Sequence, residues 1–417
     1  MRTDFSAEQL RDPYLADVER NLRACVHCGI CTATCPTYIL LGDERDGPRG
    51  RIVMMQNMLE QSGAPSPETV LHIDRCLSCL GCRTACPSGV DYARLVDVAR
   101  THIEMHYRRP LRERLTRWMI ANVLTRPALT RLGVALARFS APLSVRLPGT
   151  LGKMARMAVK ATPLSGEIAD APHAARKVAL LRGCVQQTLV PQIDEAITCI
   201  LARRGIALVP LDGADCCGAL AHHLGREEQA KALARHVIEA FERVGNVEAV
   251  LISASGCVLH LADYPHLFVD EPAWQARAEV FARKVREFSQ LVEPRSAKPP
   301  IPMRVAWQIP CSLQHGLKLG EQGEALLAQA GFEVAAIPES HLCCGSAGSY
   351  SLLQPEIAGR LRNRKLGNVK AMAPDAIATA NIGCLNHLSG PDAPPVVHLA
   401  ELINWAEGGA KPAALLD

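Results

Sequence analysis

Sixteen of the seventeen cysteines in this 417-residue chain fall into two spacing patterns that point to metal chemistry. Cys25, Cys28, Cys31 and Cys35, followed by Pro36, spell C-x2-C-x2-C-x3-C-P, and Cys76, Cys79, Cys82 and Cys86, followed by Pro87, spell it again 51 residues later. This is the bacterial-type [4Fe-4S] pattern, in which the fourth cysteine of each run serves the other cluster when two runs are present. Short spacings let one loop wrap three iron corners, and the proline turns the chain away. Two zinc sites would instead close four ligands from pairs of C-x2-C knuckles, so a run of three plus one suits a cubane better. The expected ligand sets are Cys25, Cys28, Cys31 and Cys86 for one cluster, and Cys76, Cys79, Cys82 and Cys35 for the other. His27 lies inside the first loop but is not needed as a ligand.

The other eight cysteines form an internal repeat: Cys184, Cys216, Cys217 and Cys257 recur as Cys311, Cys343, Cys344 and Cys384, each offset by 127 residues. His260 and His387 follow the last cysteine of each set by three residues. Four cysteines and a histidine suit a further iron–sulfur cluster or a closed zinc site. Adjacent thiols can also be plain core residues, since free cysteine buries well. The matched spacing of two copies weighs against that third reading. Cys199, the one left over, falls on a predicted apolar helix face and is expected to be inert. His222, His223 and His315 are weaker candidates for the surroundings of these groups.

A cubane held by four thiolates carries about 2 negative charges when oxidised and about 3 when reduced, so nearby cations raise its potential. Arg23, Arg49, Arg51, Arg75 and Arg83 lie close to the two runs in sequence. Each is equally readable as a solvated surface arginine.

The elements that must position these groups fall into three regions. Residues 1–105 read as a mainly α-helical, ferredoxin-like domain, with helical stretches such as Arg51 to Gln61 and Tyr92 to Met105 around the cysteine runs. Residues 106–172 read as a basic linker or docking arm. Residues 173–295 and 296–417 read as a duplicated α/β cysteine-rich module. In the first copy the predicted strands Val178 to Leu181, Ala207 to Leu211 and Ala249 to Ser253 alternate with the helices Pro191 to Arg204 and Glu227 to Val244. The second copy gives the strands Val305 to Ile309, Glu333 to Ile337 and Ile377 to Ala380, with a helix over Ala325 to Ala330. Each cysteine group follows a strand. Alternation of strand and helix implies parallel sheets, whose carboxyl-end loops converge on one rim, so three sequence-distant cysteine groups can meet there.

An apolar fraction of 48% is that of an ordinary globular protein and argues against disorder. The charged start, with Arg2, Asp4 and Glu8, lacks the apolar run of a secretory signal. The cysteines are therefore expected in a reducing cytoplasm, where such spacings favour metal or redox centres over disulfides. The most hydrophobic stretch, Trp118 to Pro148, is interrupted by Arg126, Arg131, Arg138 and Arg146, which argues against a membrane span. The net charge of +4 is uneven, because His106 to Lys160 holds twelve Lys and Arg against the single acid Glu113. Interleaved with Leu, Val, Ile, Met and Trp118, those cations fit an anionic lipid surface at the inner face of the cell membrane, an acidic partner, or a solvated linker. Nucleic acid is not expected, since Tyr107, Trp118 and Phe139 are the only aromatics there.

With its doubled cluster pattern and two modules of the form Cys, Cys-Cys-Gly, Cys, the chain resembles the iron–sulfur subunits of bacterial glycolate oxidase over nearly its whole length. Asp46-Gly47-Pro48-Arg49-Gly50-Arg51 is similar to a stretch common in that group. The same parts occur in iron–sulfur subunits of anaerobic glycerol-3-phosphate dehydrogenase, of lactate-oxidising complexes and of heterodisulfide reductase. In the last, each module ends C-x2-C and binds a noncubane cluster, whereas His260 and His387 occupy that final position here. The resemblance implies an electron-transfer subunit with no substrate-oxidising site of its own. FAD and glycolate oxidation to glyoxylate would belong to flavin-containing partner subunits, and electrons would leave to a quinone-type acceptor. No G-x-G-x-x-G opens a helix after a strand, in keeping with that division of labour. Two rivals are a module that is itself catalytic towards a disulfide, and a scaffold in which zinc holds the modules.

Overall fold

The computed structural model describes residues 1–140 and 176–416, apart from 294 and 298, together with positions 152, 155 and 174. The helical first region is built on three helices. In α1 (Pro13–Ala24), Pro13 takes the first helical position and the Asp12 carboxylate accepts from the Tyr14 and Leu15 amides, the cap a helix start requires. Short α2 (Pro36–Leu41) begins at the proline after the first cysteine run. Next come α3 (Pro48–Gln61), α4 (Pro67–Asp74), α5 (Gly81–Ala85) and α6 (Tyr92–His106), the last capped by Asp91. Val18 and Leu22 of α1, Ile52 and Met55 of α3, and Leu95 and Ile103 of α6 interlock as this region's core. Their 3.6-residue spacing puts one apolar stripe on each helix. The cysteine loops sit at the ends of these helices.

The basic segment supplies two more helices, α7 (Leu111–Asn122) and α8 (Pro127–Phe139). The remainder of the expected arm, to residue 172, lies outside the described residues apart from positions 152 and 155.

Each repeat half is a four-stranded, all-parallel sheet. The first half has β1 (Arg176–Leu180), β2 (Ile206–Pro210), β3 (Ala249–Leu251) and β4 (Val285–Arg286), in the order β2-β1-β3-β4. The second has β5 (Arg304–Trp307), β6 (Glu333–Ala336), β7 (Ala376–Thr379) and β8 (Val396–His398), in the order β6-β5-β7-β8. The sequence reading anticipated the first three strands of each sheet within one or two residues. It did not include the edge strands β4 and β8, which have two and three residues and too short a run to display a period. Burial on both faces accounts for the continuous apolar character of Val178 to Leu180 and of β7.

The halves are fused through one apolar core. The helix Gln192–Ala202 of the first packs against the helix Leu399–Ala406 of the second, and Ile197, Leu201, Leu327, Leu399 and Leu402 belong to the same buried cluster. Ile197→Ala is therefore expected to destabilise both modules together by about 2–5 kcal/mol. Chemical denaturation should register a single transition moved to lower denaturant, and two transitions with only one displaced would contradict the shared core.

Candidate metal centres

The two cysteine runs adopt the same loop. Left-handed backbone at His27 and Gly29 recurs at Ser78 and Leu80, three of these positions being non-glycine residues in a region that side chains disfavour. The loop is held from outside: Arg100 of α6 donates to the Ser78 hydroxyl and the Cys76 carbonyl, both at 2.7 Å. Burial pushes the Cys31 thiol up to about 11, and the neighbours that reinforce the shift are Cys25, Cys86 and Cys28. Burial likewise raises Cys82, and Cys79, Cys76, Cys35 and Cys31 add to the shift. The fold thus brings Cys86 to the first loop and Cys35 to the second. Crowded, buried thiols that oppose one another's ionisation become thiolates when a cationic centre sits among them, so this donor set fits an iron–sulfur cluster in each loop.

The five arginines separate clearly. Arg51 is 1% exposed. It donates to the His72 carbonyl at 2.7 Å and the Thr37 hydroxyl at 3.1 Å, with one guanidinium nitrogen 3.9 Å from Cys35 Sγ. Buried Asp46 balances it, lying 3.5 Å from Arg51, 2.9 Å from His72 Nδ1 and 2.9 Å from Arg75. Arg23, Arg49 and Arg83 instead pair with Glu19, Glu44 and Asp91 in exposed or half-exposed positions.

In both modules the cysteines stand past the carboxyl ends of successive strands. Cys184, Cys216-Cys217 and Cys257 follow β1, β2 and β3; Cys311, Cys343-Cys344 and Cys384 follow β5, β6 and β7. Cys311 Sγ lies 3.9 Å from Cys343 Sγ, and Cys344 Sγ lies 3.3 Å from Cys384 Sγ. In the first module Cys216 is raised by hydrogen bonding to Cys184 and Cys217, while Cys217 is lowered by hydrogen bonds from Cys216 and Cys257. The glycine of each Cys-Cys-Gly is required by its backbone: φ is +86° at Gly218 and +95° at Gly345. A Cβ would meet the Ala230 carbonyl oxygen at 3.1 Å or that of Ala358 at 2.7 Å. The same turn aims the glycine amide at the first thiol of the pair, 3.4 Å from Cys216 Sγ and from Cys343 Sγ.

The two histidines differ. His260 Nε2 is buried with no hydrogen-bond partner among the described residues, and burial lowers its pKa to about 4, so the ring offers a neutral lone pair beside Cys217. His387 Nε2 is already bonded to the Ala358 carbonyl at 3.1 Å. His222 pairs with Asp97 of α6 at 3.3 Å, and His223 lines the cavity beside the first group. His315 touches no cysteine through a hydrogen bond; its ring bridges the Thr84 hydroxyl at 3.1 Å and the His341 carbonyl at 2.9 Å, tying the second module to the helical domain. Cys199 is half-buried on the helix Gln192–Ala202.

One cavity of about 540 Å³ joins these groups. All eight module cysteines line it, and the loop from Cys76 to Leu80 closes one side. Leu77 packs with Cys343, Tyr350 and Leu361, and the Tyr350 hydroxyl donates to the Arg75 carbonyl at 3.1 Å. Arg100 and the Asp46–His72 pair escaped the sequence reading. Arg100 lies on a helix 24 residues from the loop it holds, and no local pattern marks such a contact.

Residues 24–91 match the 4Fe-4S dicluster domain family, and residues 178–262 and 305–389 each match the cysteine-rich domain family, CCG. With the fold and the thiol groups just described, these matches make the chain an iron–sulfur subunit of an oxidoreductase. It is 39% identical to the glycolate oxidase iron-sulfur subunit of Escherichia coli (strain K12), over 97% of this chain and 99% of that one. It is 31% identical to the probable glycolate oxidase iron-sulfur subunit of Bacillus subtilis (strain 168), over 98% and 99%. The chain belongs to the family of glycolate oxidase iron–sulfur subunits. Lactate utilization protein A of Exiguobacterium sp. (strain ATCC BAA-1283 / AT1b) is 28% identical over 54% of this chain.

Cys86→Ala should abolish the paramagnetic signal of the cluster at the first loop and spare that at the second; loss of the second instead would reverse the exchange of fourth ligands. Arg51→Met should lower the potential of the cluster nearest Cys35 by roughly 50–100 mV, as removal of a buried cation implies. Arg23→Gln, with its side chain 68% exposed, should leave both potentials in place in a redox titration.

Proposed function

We propose that this chain is the electron-transfer subunit of a multi-subunit, flavin-dependent glycolate oxidase. FAD on a partner subunit oxidises glycolate to glyoxylate, and electrons leave through this chain to a quinone-type acceptor, with the chain lying peripherally on the cytoplasmic face of a membrane. The observation that carries the reading is the placement of the Cys76 to Leu80 loop against the cavity shared by both module groups. That arrangement keeps the helical domain's thiols and the modules' thiols within one body, the proximity an electron relay needs. The full-length similarity to a glycolate oxidase subunit favours glycolate over other hydroxy acids.

In this reading Cys25, Cys28, Cys31 and Cys86 hold one [4Fe-4S] cluster, and Cys76, Cys79, Cys82 and Cys35 hold a second. Cys184, Cys216, Cys217 and Cys257, with His260 as a neighbouring donor, and Cys311, Cys343, Cys344 and Cys384 hold further iron–sulfur. When bound, such clusters supply one-electron transfer without proton chemistry of their own. The protein's part is to exclude water with Leu77, Tyr350 and Ile357 and to set the local field with Arg51 and Asp46. Among the described residues no helix is long and apolar enough to cross a membrane, which accords with a peripheral position.

A second reading, oxidation of lactate by the partner, is favoured by the similarity to Lactate utilization protein A over about half the chain. Zinc in the modules is the other alternative. Anaerobically purified chain should contain iron beyond the roughly eight atoms of two cubanes and little zinc. Mixed with its flavin subunit, it should be reduced on addition of glycolate and much more slowly with lactate. An unchanged spectrum with glycolate, or iron near eight with about two zinc, would overturn the corresponding part of the reading.

A further inference from the structure

The helices α7 and α8 bury one apolar face, with Ile120, Ala121 and Val134, and leave a second apolar stripe facing outward. The face that α8 buries holds Pro127, Thr130 and Val134, whereas Leu132, Leu136 and Phe139 are 57%, 60% and 93% exposed. In α7, Arg117 is buried while Leu111, Leu115 and Trp118 are 78%, 61% and 50% exposed. Arg117 is held inside by Asp74 at 3.1 Å and Glu113 at 2.8 Å, so its burial is a built feature. A soluble surface normally distributes these residue types the other way round.

The charge around this apolar face has one sign. Glu113, the single acid in the two helices, is consumed by Arg109 and Arg117 at 2.6 and 2.8 Å. Arg112, Arg114 and Arg126 are exposed, and their side chains make no hydrogen bond or ion pair with the described residues. Of the other polar side chains, Thr116 donates to the Arg112 carbonyl, Asn122 to that of Trp118 and Ser140 to that of Leu136, while Arg131 donates to the Gln187 side chain at 2.9 Å.

What is left is Leu, Trp and Phe flanked by the unpaired cations Arg112, Arg114 and Arg126, with no free acid on the two helices. A fluid anionic phase asks only for apolar side chains to enter the acyl boundary and for cations at headgroup depth. The opposite side of α7 faces the shared cavity through Pro110, Glu113 and Arg117. A lipid surface touching α7 would therefore lie beside the chamber that the cysteine groups line.

We propose that the outer face of α7 and α8 docks on an anionic phospholipid membrane, with Leu115, Trp118, Leu132, Leu136 and Phe139 inserted at the headgroup–acyl boundary and Arg112, Arg114 and Arg126 on lipid phosphates. This rests on the peripheral position in the functional reading and gives it a surface. It is tested with the full-length, cluster-loaded chain by cosedimentation with vesicles. Binding is expected to mixed phosphatidylglycerol and phosphatidylcholine, to weaken with added salt, and to be absent with phosphatidylcholine alone. Arg112→Glu with Arg114→Glu should weaken it more than about tenfold. Leu132→Ser with Phe139→Ser should do the same at unchanged iron content, which excludes misfolding as the cause. Brominated lipid should quench Trp118 in the parent chain, and Trp118→Phe should remove that quenching. Equal binding to neutral vesicles, binding unaltered by either double substitution, or binding to the flavin subunit through this face with none to vesicles would each overturn the assignment. Reduction by the flavin subunit, measured with a soluble dye and no lipid, tests the electron-transfer reading separately, so either can fail alone.

Discussion

Sixteen thiols gathered into two loops and two modules crowd one another, and that crowding is the constraint on which the rest of the structure turns. The loops and modules place sulfurs among other sulfurs, such as the 3.3 Å pair Cys344 and Cys384; burial raises Cys31, Cys79 and Cys82, whereas hydrogen bonds from Cys216 and Cys257 lower Cys217. Cationic metal among them reverses the balance, converting a repulsive cluster into a charge-compensated one. Much of the surrounding architecture then reads as support for thiolates. The glycine amides at 218 and 345 point at sulfur, and the guanidinium of Arg51 is buried near Cys35 with Asp46 as its counterion.

The parallel sheets meet this demand economically. In such a sheet the loops after successive strands rise on the same rim, so cysteines separated by about 40 residues come into contact without any strand being interrupted. The duplicated module presents two such rims to one cavity, and the helical domain plugs a third side with the loop from Cys76 to Leu80. Docking combines the apolar contact of Leu77 with Tyr350, Ile357 and Leu361 with a set of polar ties. Arg94 grips Asp263 through both guanidinium nitrogens, at 2.5 and 2.6 Å, and Tyr14 donates to the Leu267 carbonyl at 2.7 Å. His315 and Tyr350 make the corresponding ties to the second module. Such bonds are directional, and they hold one orientation of the domains where apolar contact alone would permit several.

Duplication did not yield two equal sites. His260 leaves a lone pair free beside the first group, while its counterpart His387 spends the same atom on a backbone carbonyl. Lys365, 2% exposed, lies behind the second group, at a position filled by Ile238 in the first half. The two groups therefore sit in different fields.

The cysteine spacings and the order of strand and helix were legible in the sequence, because each is set by covalent neighbours or by a 127-residue repeat that needs no coordinates. Six of the eight strands were legible for the same reason, while β4 and β8 were too short to carry a period. The sequence could not rank five arginines near the cluster runs, and packing alone buried Arg51 and left Arg23 in solvent. Nor could it say that Cys79 would approach Cys311, or that both module groups would open on one chamber, since those encounters join positions more than 100 residues apart. Spacing along a chain is a local property that the sequence states outright. Proximity between distant residues is a balance of burial, charge and directional bonding across the whole molecule, and only the folded chain decides it.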